Sequence, residues 1–210
     1  MTEVGWVAAS GSTLMLEFIR GKASDRKLRL FAVACCRRVW HLLKHERSRR
    51  AVEVAERFAD ADATDGERDE ARRVSNIAKT DGLGGTTTRP AARAAHACTD
   101  PKPFVAATLA GRQAVAAGNL KRESAAQEQL LRCIFGNPFR TVTLDSSWLT
   151  STVRSLAEGI YADRAFDRLP ILADALMDAG CEDEDVVNHC RGHGSHVRGC
   201  WVLDLILGKQ

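Results

Sequence analysis

Six thiol and imidazole side chains, Cys181, His189, Cys190, His193, His196 and Cys200, fall within twenty residues near the end of a 210-residue chain. Ionised thiols and neutral imidazoles are the donors zinc prefers, and about four of them in a tetrahedron make a structural site. His196 and Cys200 are four apart, so a helix would carry them on one face. Cys181 and either His189 or Cys190 would complete the shell from the segment before. The set carried forward is Cys181, Cys190, His196 and Cys200, spaced Cys-x8-Cys-x5-His-x3-Cys. It ends in a finger-like pair but lacks the close first pair of a common zinc finger. The competing reading is packing, because free cysteine is among the most buried residue types. A third is nucleophilic catalysis, with His196 as base to Cys200 and Asp204 orienting it one turn further on. Apolar surroundings would suppress ionisation of that thiol and argue against this.

These groups need elements to hold them. Ser195 is a good N-cap, and a helix over residues 195–207 would stack His196, Cys200, Leu203 and Leu207 on one side, with Val197, Trp201 and Leu205 beside them. Such a helix is apolar nearly all round yet shorter than the roughly 20 residues of a membrane span, so it reads as a buried element that Gly208 ends. Upstream, helices are expected at 182–190, at 170–180 behind Pro170, at 150–162 and at 120–135, the last ending at Gly136-Asn137-Pro138. Residues 139–144 alternate like a strand but are too few for a sheet. Toward the other end, a short helix at 14–20 precedes a long amphipathic one at 25–44, capped by Ser24, and another at 50–61. Cys35 and Cys36 are adjacent, about 100° apart on a helix, so they read as core and not as a chelate.

Residues 60–118 differ. They are rich in alanine and charge, with little apolar area, and are expected to form peripheral, marginally held helices. Gly82-Leu83-Gly84-Gly85 with the threonines after it reads as a linker, since the lysine and spacing of a phosphate-binding loop are absent. The whole is predicted to be all-α, an irregular multi-helix bundle of eight to ten helices with a buried C-terminal helix. Three segments are expected, 1–60, 61–119 and 120–210, the first and last sharing one core.

Apolar content of 45% and charged content of 27% are globular values, and a net charge of +3 does not by itself indicate nucleic acid. Charge is nonetheless uneven. Residues 1–58 carry twelve Lys/Arg against six Asp/Glu, whereas residues 163–185 carry eight Asp/Glu against two Arg, which suggests two solvated faces of opposite sign. If nucleic acid were bound, Arg26, Lys27, Arg29, Arg37, Arg38, Arg47, Arg49 and Arg50 would supply the phosphate contacts. Seven cysteines are an odd number and the first residues lack the pattern of a signal peptide, so reduced thiols in the cytoplasm are expected. No apolar run reaches membrane length, and no membrane is expected as a partner.

Four stretches carry a resemblance. Met1-Thr2-Glu3 with Trp6, Ala34-Cys35-Cys36-Arg37-Arg38 with Trp40-His41-Leu42-Leu43, Phe135-Gly136-Asn137-Pro138-Phe139-Arg140, and His189-Cys190-Arg191-Gly192 with Gly194 and His196-Val197-Arg198-Gly199-Cys200-Trp201 resemble a large paralogous family of uncharacterised bacterial proteins. The resemblance is strong at both ends, weak over residues 60–120, and implies no activity. From the residues, the expectation is a non-catalytic cytosolic helical protein-interaction or scaffold module, with no cofactor required and its protein partner unspecified. The alternative is a zinc-stapled nucleic-acid-binding or regulatory domain.

Overall fold

The computed structural model describes residues 1–78, 86–192 and 194–209. Among them are twelve α-helices and no strand: α1 (Glu3–Val7), α2 (Ser12–Ile19), α3 (Asp25–Arg38), α4 (Glu46–Ala59), α5 (Asp65–Ala78), α6 (Thr88–Ala97), α7 (Pro103–Ala117), α8 (Leu120–Phe135), α9 (Ser151–Asp163), α10 (Leu169–Asp178), α11 (Glu184–Arg191) and α12 (Trp201–Leu207). The glycine-rich stretch 82–85 and His193 lie outside the described residues.

Local chemistry sets most boundaries. Ser24, Asn119, Thr150 and Asp183 each accept a hydrogen bond from the backbone N–H three residues on, at 3.4, 3.1, 3.3 and 3.0 Å, satisfying a donor that the first turn would otherwise leave orphaned. The expected helix over 25–44 stops sooner: α3 ends at Arg38 and a 3-10 turn takes Trp40–Leu42. The strand-like residues 139–144 are irregular, lacking a partner to share backbone hydrogen bonds.

The hydrophobic interior comprises two clusters. The first is centred on α3, buried without a break from Leu28 to Cys36, and draws on α1, α2, α4, α6, α7 and α8. The second joins α9 to α12. They meet along α8, whose Ile134 belongs to the first and Cys133 to the second, with Val197 packed against both.

The middle of the chain corrects one expectation. The largest helix interface is between α3 and α7, followed by α6 and α7. Ala91, Ala94, Ala95, Ala106, Ala107, Ala110 and Ala114 are fully buried. Small side chains let helix axes approach closely, so the packing gained by many short contacts replaces the area a leucine would bury. Only α5 behaves as a peripheral helix, burying Arg68, Ala71 and Ser75. Among the described residues, no helix is long and apolar enough to cross a membrane.

A buried polar cluster bridges the two halves. The Arg26 guanidinium donates to both Asp204 carboxylate oxygens, at 2.7 and 3.1 Å, to Asp60 Oδ1 at 3.0 Å and to the Tyr161 hydroxyl at 2.7 Å. Tyr161 donates in turn to Asp60, and Arg198 approaches Asp60 at 3.5 Å while lying over the Tyr161 ring. These side chains come from α3, the end of α4, α9, α12 and the segment before α12.

Candidate metal centre

The terminal helix is shorter than its composition suggests. It begins at Trp201, and residues 195–200 take an irregular path. Gly199 is the cause, with φ of +86°, a conformation that L side chains rarely adopt. A Cβ there would also stand 2.9 Å from Leu30 Cδ1, so this backbone presses against α3. His196 and Cys200 therefore do not share a helical face. They meet because the chain turns back, which places Cys200 as the N-cap residue of α12.

Two further donors join them. Cys133, near the end of α8, lies with its Sγ 3.7 Å from His196 Nδ1. His189, in the last turn of α11, brings Nε2 to 3.1 Å from Cys200 Sγ. One donor atom from each of Cys133, His189, His196 and Cys200 lies within 4.8 Å of every other. Zinc bonds of about 2.0–2.3 Å imply donor-to-donor edges of about 3.3–3.8 Å. The two measured pairs fall close to that span, and the widest needs a contraction of about 1 Å. Both sulfurs are buried and both imidazoles half-buried.

The surroundings fix the imidazoles. His196 turns Nε2 to the Gly192 carbonyl at 3.4 Å, leaving Nδ1 for the sulfur side, the outer-shell arrangement common to metal-bound histidine. His189 is held between His196, edge-on at 4.8 Å, and Trp201 at 5.3 Å. The Trp201 indole packs on Gly136, where a Cβ would meet it at 3.2 Å. That glycine closes α8 with φ of +62° and its carbonyl accepts from the Trp6 indole N–H at 3.0 Å.

The two thiols differ in acidity. Burial opposes ionisation of Cys200, but hydrogen bonds from Cys133, His189 and His196 outweigh it and hold that thiol well below its ordinary value. Cys133 is pushed well above its own by its hydrogen bond to Cys200 and then by burial. His196 is opposed by burial yet raised by the same sulfur. The Cys200 thiolate is thus favoured by its neighbours while the Cys133 thiol keeps its proton more tightly than usual. The expectation that apolar surroundings suppress the Cys200 thiolate is overturned by these three donors.

Zinc bound here would displace at least the Cys133 proton, which that thiol holds well above its ordinary range. Zinc affinity therefore weakens as pH falls, by about tenfold per unit near neutrality for one displaced proton, and more steeply once His196 is protonated. Competition against a calibrated zinc dye from pH 6 to 8 measures the slope; a flat profile would contradict this proton inventory. A second prediction concerns the backbone. Gly199→Ala combines left-handed strain with overlap on Leu30, so it destabilises by about 2 kcal/mol and lowers zinc occupancy, read by urea unfolding and metal analysis.

The structure brings together part of the sequence-derived ligand set. His196 and Cys200 are in the group; Cys181 and Cys190 are outside it, and Cys133 and His189 stand in their place. Cys190 follows His189 on α11 by about 100°, so when His189 faces the centre Cys190 turns into the second core cluster, fully buried, its thiol pushed up by desolvation. Cys181 packs in that cluster just beyond α10, also raised by burial. Cys133 drew no notice because it sits among the apolar residues of α8, 56 positions before His189.

The candidate phosphate-binding cations are mostly engaged. Arg26 serves Asp204 and Asp60; Arg29 donates to the carbonyls of Asp100 and Pro101; Arg37 pairs with Glu56, Arg38 with Glu123, and Arg49 donates to Leu43 O. Arg47 and Arg50 are exposed, and Lys27 lines a cavity. No family model matches the chain, and neither a curated protein nor a solved structure matches it.

Proposed function

We propose that the chain is a non-catalytic, zinc-stapled helical module in which Cys133, His189, His196 and Cys200 hold one zinc ion that joins the two halves of the bundle. The observation that carries this reading is the convergence of four donors of the right chemistry from three separate segments within 4.8 Å. Hydrogen-bonded packing alone would not require two imidazoles and two sulfurs to converge. Four protein donors fill a tetrahedral shell and leave no position for water or substrate, which favours a structural over a catalytic centre. The engagement of Arg26, Arg29, Arg37, Arg38 and Arg49 inside the molecule weighs against a phosphate-binding face and for an interaction or regulatory module.

Metal analysis of protein purified without chelator is the test. One zinc per chain is expected, reduced to background in Cys133→Ala, His189→Ala and Cys200→Ala and retained in Cys181→Ala and Cys190→Ala. Cobalt substitution should give the intense visible bands of tetrahedral thiolate coordination. A folded protein that takes up neither metal would overturn the reading.

A further inference from the structure

A cavity of about 780 Å³ opens beside the metal centre, with His189 and Trp201 on its wall. That volume suits a small organic ligand. Half-buried Phe135, Val142, Trp201 and Leu205 form its apolar side.

Its charges are unbalanced. Five Lys/Arg side chains line it against two carboxylates. Both carboxylates are already held, Asp204 by Arg26 and Asp185 by Arg140 at 3.4 Å. The cations Lys22, Lys27, Arg132 and Lys209 meet no carboxylate among the described residues. Arg132 donates to the carbonyls of Trp6, Val7 and Ala9, while Lys22 lies over Phe18 and Lys209 over Tyr161. Among the described residues the Lys27 ammonium has no hydrogen bond or ion pair; burial pushes its pKa below the ordinary value, with the through-space attraction of Asp204, Cys200 and Cys133 opposing it. A cation drawn out of water without a directly bonded counter-charge is unfavourable, and low-dielectric walls strengthen its pull on an anion.

We infer that this cavity binds a small organic anion, a carboxylate or phosphate head on a flat apolar body, with the head on Lys27 and the body against Trp201 and Phe135. The inference does not require zinc, although His189 belongs to both sites. Asp204, already held by Arg26, acts on Lys27 only through space, so the charge is incompletely met, and an indole facing a cavity offers a stacking surface for a planar body.

Titration of the intact protein with naphthalene-2-carboxylate, 2-naphthyl phosphate and the neutral 2-naphthalenemethanol, followed by tryptophan fluorescence and calorimetry, tests it. One equivalent of at least one anion should bind about tenfold or more tighter than the alcohol, and the better anion identifies the head. Lys27→Met keeps the aliphatic stem; it should remove that preference while the variant still unfolds cooperatively and still binds the alcohol. Lys27→Arg should retain the preference. Equal affinity for all three compounds, or a preference that survives Lys27→Met, would overturn the assignment.

Discussion

Stripping zinc from the loaded protein lowers its unfolding midpoint by about 8–16 °C. A metal present at about a thousand times its dissociation constant stabilises the folded state by about 4 kcal/mol, and each kcal/mol moves the midpoint of a chain this size by about 2–4 °C. The effect is large because of where the donors come from. Cys133 belongs to α8, which packs on α2 and α3 as well as on α12, whereas His189, His196 and Cys200 belong to the second half. One ion held by these donors would therefore tie segments that the chain connects through α9 and α10. Cys200→Ala and Cys133→Ala should each lower the midpoint of the zinc-grown protein by that amount and abolish any further response to chelator. Cys181→Ala and Cys190→Ala lose packing alone, so they should keep the chelator-dependent shift in full. That contrast separates a metal ligand from a buried thiol, since both kinds of variant destabilise but only one removes the coupling to metal. A midpoint indifferent to chelator in the zinc-containing wild type would exclude a stapling role.

The helices were legible in the sequence because caps and apolar spacing are local. Ser24, Asn119, Thr150 and Asp183 mark starts, and Gly136 and Gly208 mark ends, without reference to the rest of the chain. The role of α7 was not legible. Its value lies in how closely alanines allow α3 to approach, which composition scored by apolar area treats as weakness. The site was legible in chemistry but not in membership. Clustering of Cys and His near residue 200 is a sequence property; the arrival of Cys133 depends on α8 reaching α12, and the choice of His189 over Cys190 depends on which way α11 is rotated. The terminal helix misled for a local reason, since a single glycine with positive φ outweighed a continuous apolar pattern. Charge asymmetry misled only in its basic half, for a tertiary reason, since the carboxylates of residues 163–185 are largely exposed as a solvated face requires. The basic N-terminal helices largely meet Glu56, Asp60, Glu123 and Asp204, and Arg164 from the acidic stretch itself joins Glu56.

Arg26→Met should destabilise the protein by about 3–5 kcal/mol, as expected when one partner of a buried ion pair is removed. Asp204 is 1% exposed, and burial already raises its carboxyl above the ordinary value, with Arg26 the chief opposing influence. Without Arg26 the carboxyl rises further. A carboxyl with a raised folded value binds its proton more tightly when folded, so its penalty grows as pH climbs above the unfolded value of about 3.9 and shrinks as pH falls toward it. The deficit of Arg26→Met should therefore be smaller at pH 5 than at pH 8, each referenced to wild type at the same pH by urea unfolding. Removing the second charge should recover much of the loss: Arg26→Met with Asp204→Leu is expected to be more stable than Arg26→Met alone, because the desolvated carboxylate is gone. Arg26→Met also removes its bonds to Asp60 and Tyr161, so the Asp204 share is read from the full double-mutant cycle with Asp204→Leu, Asp60 keeping Tyr161 and Arg198 throughout. An Arg26→Met protein as stable as wild type, or a double variant no better than the single, would mean that the bundle halves are held by apolar contact and metal without this ion pair.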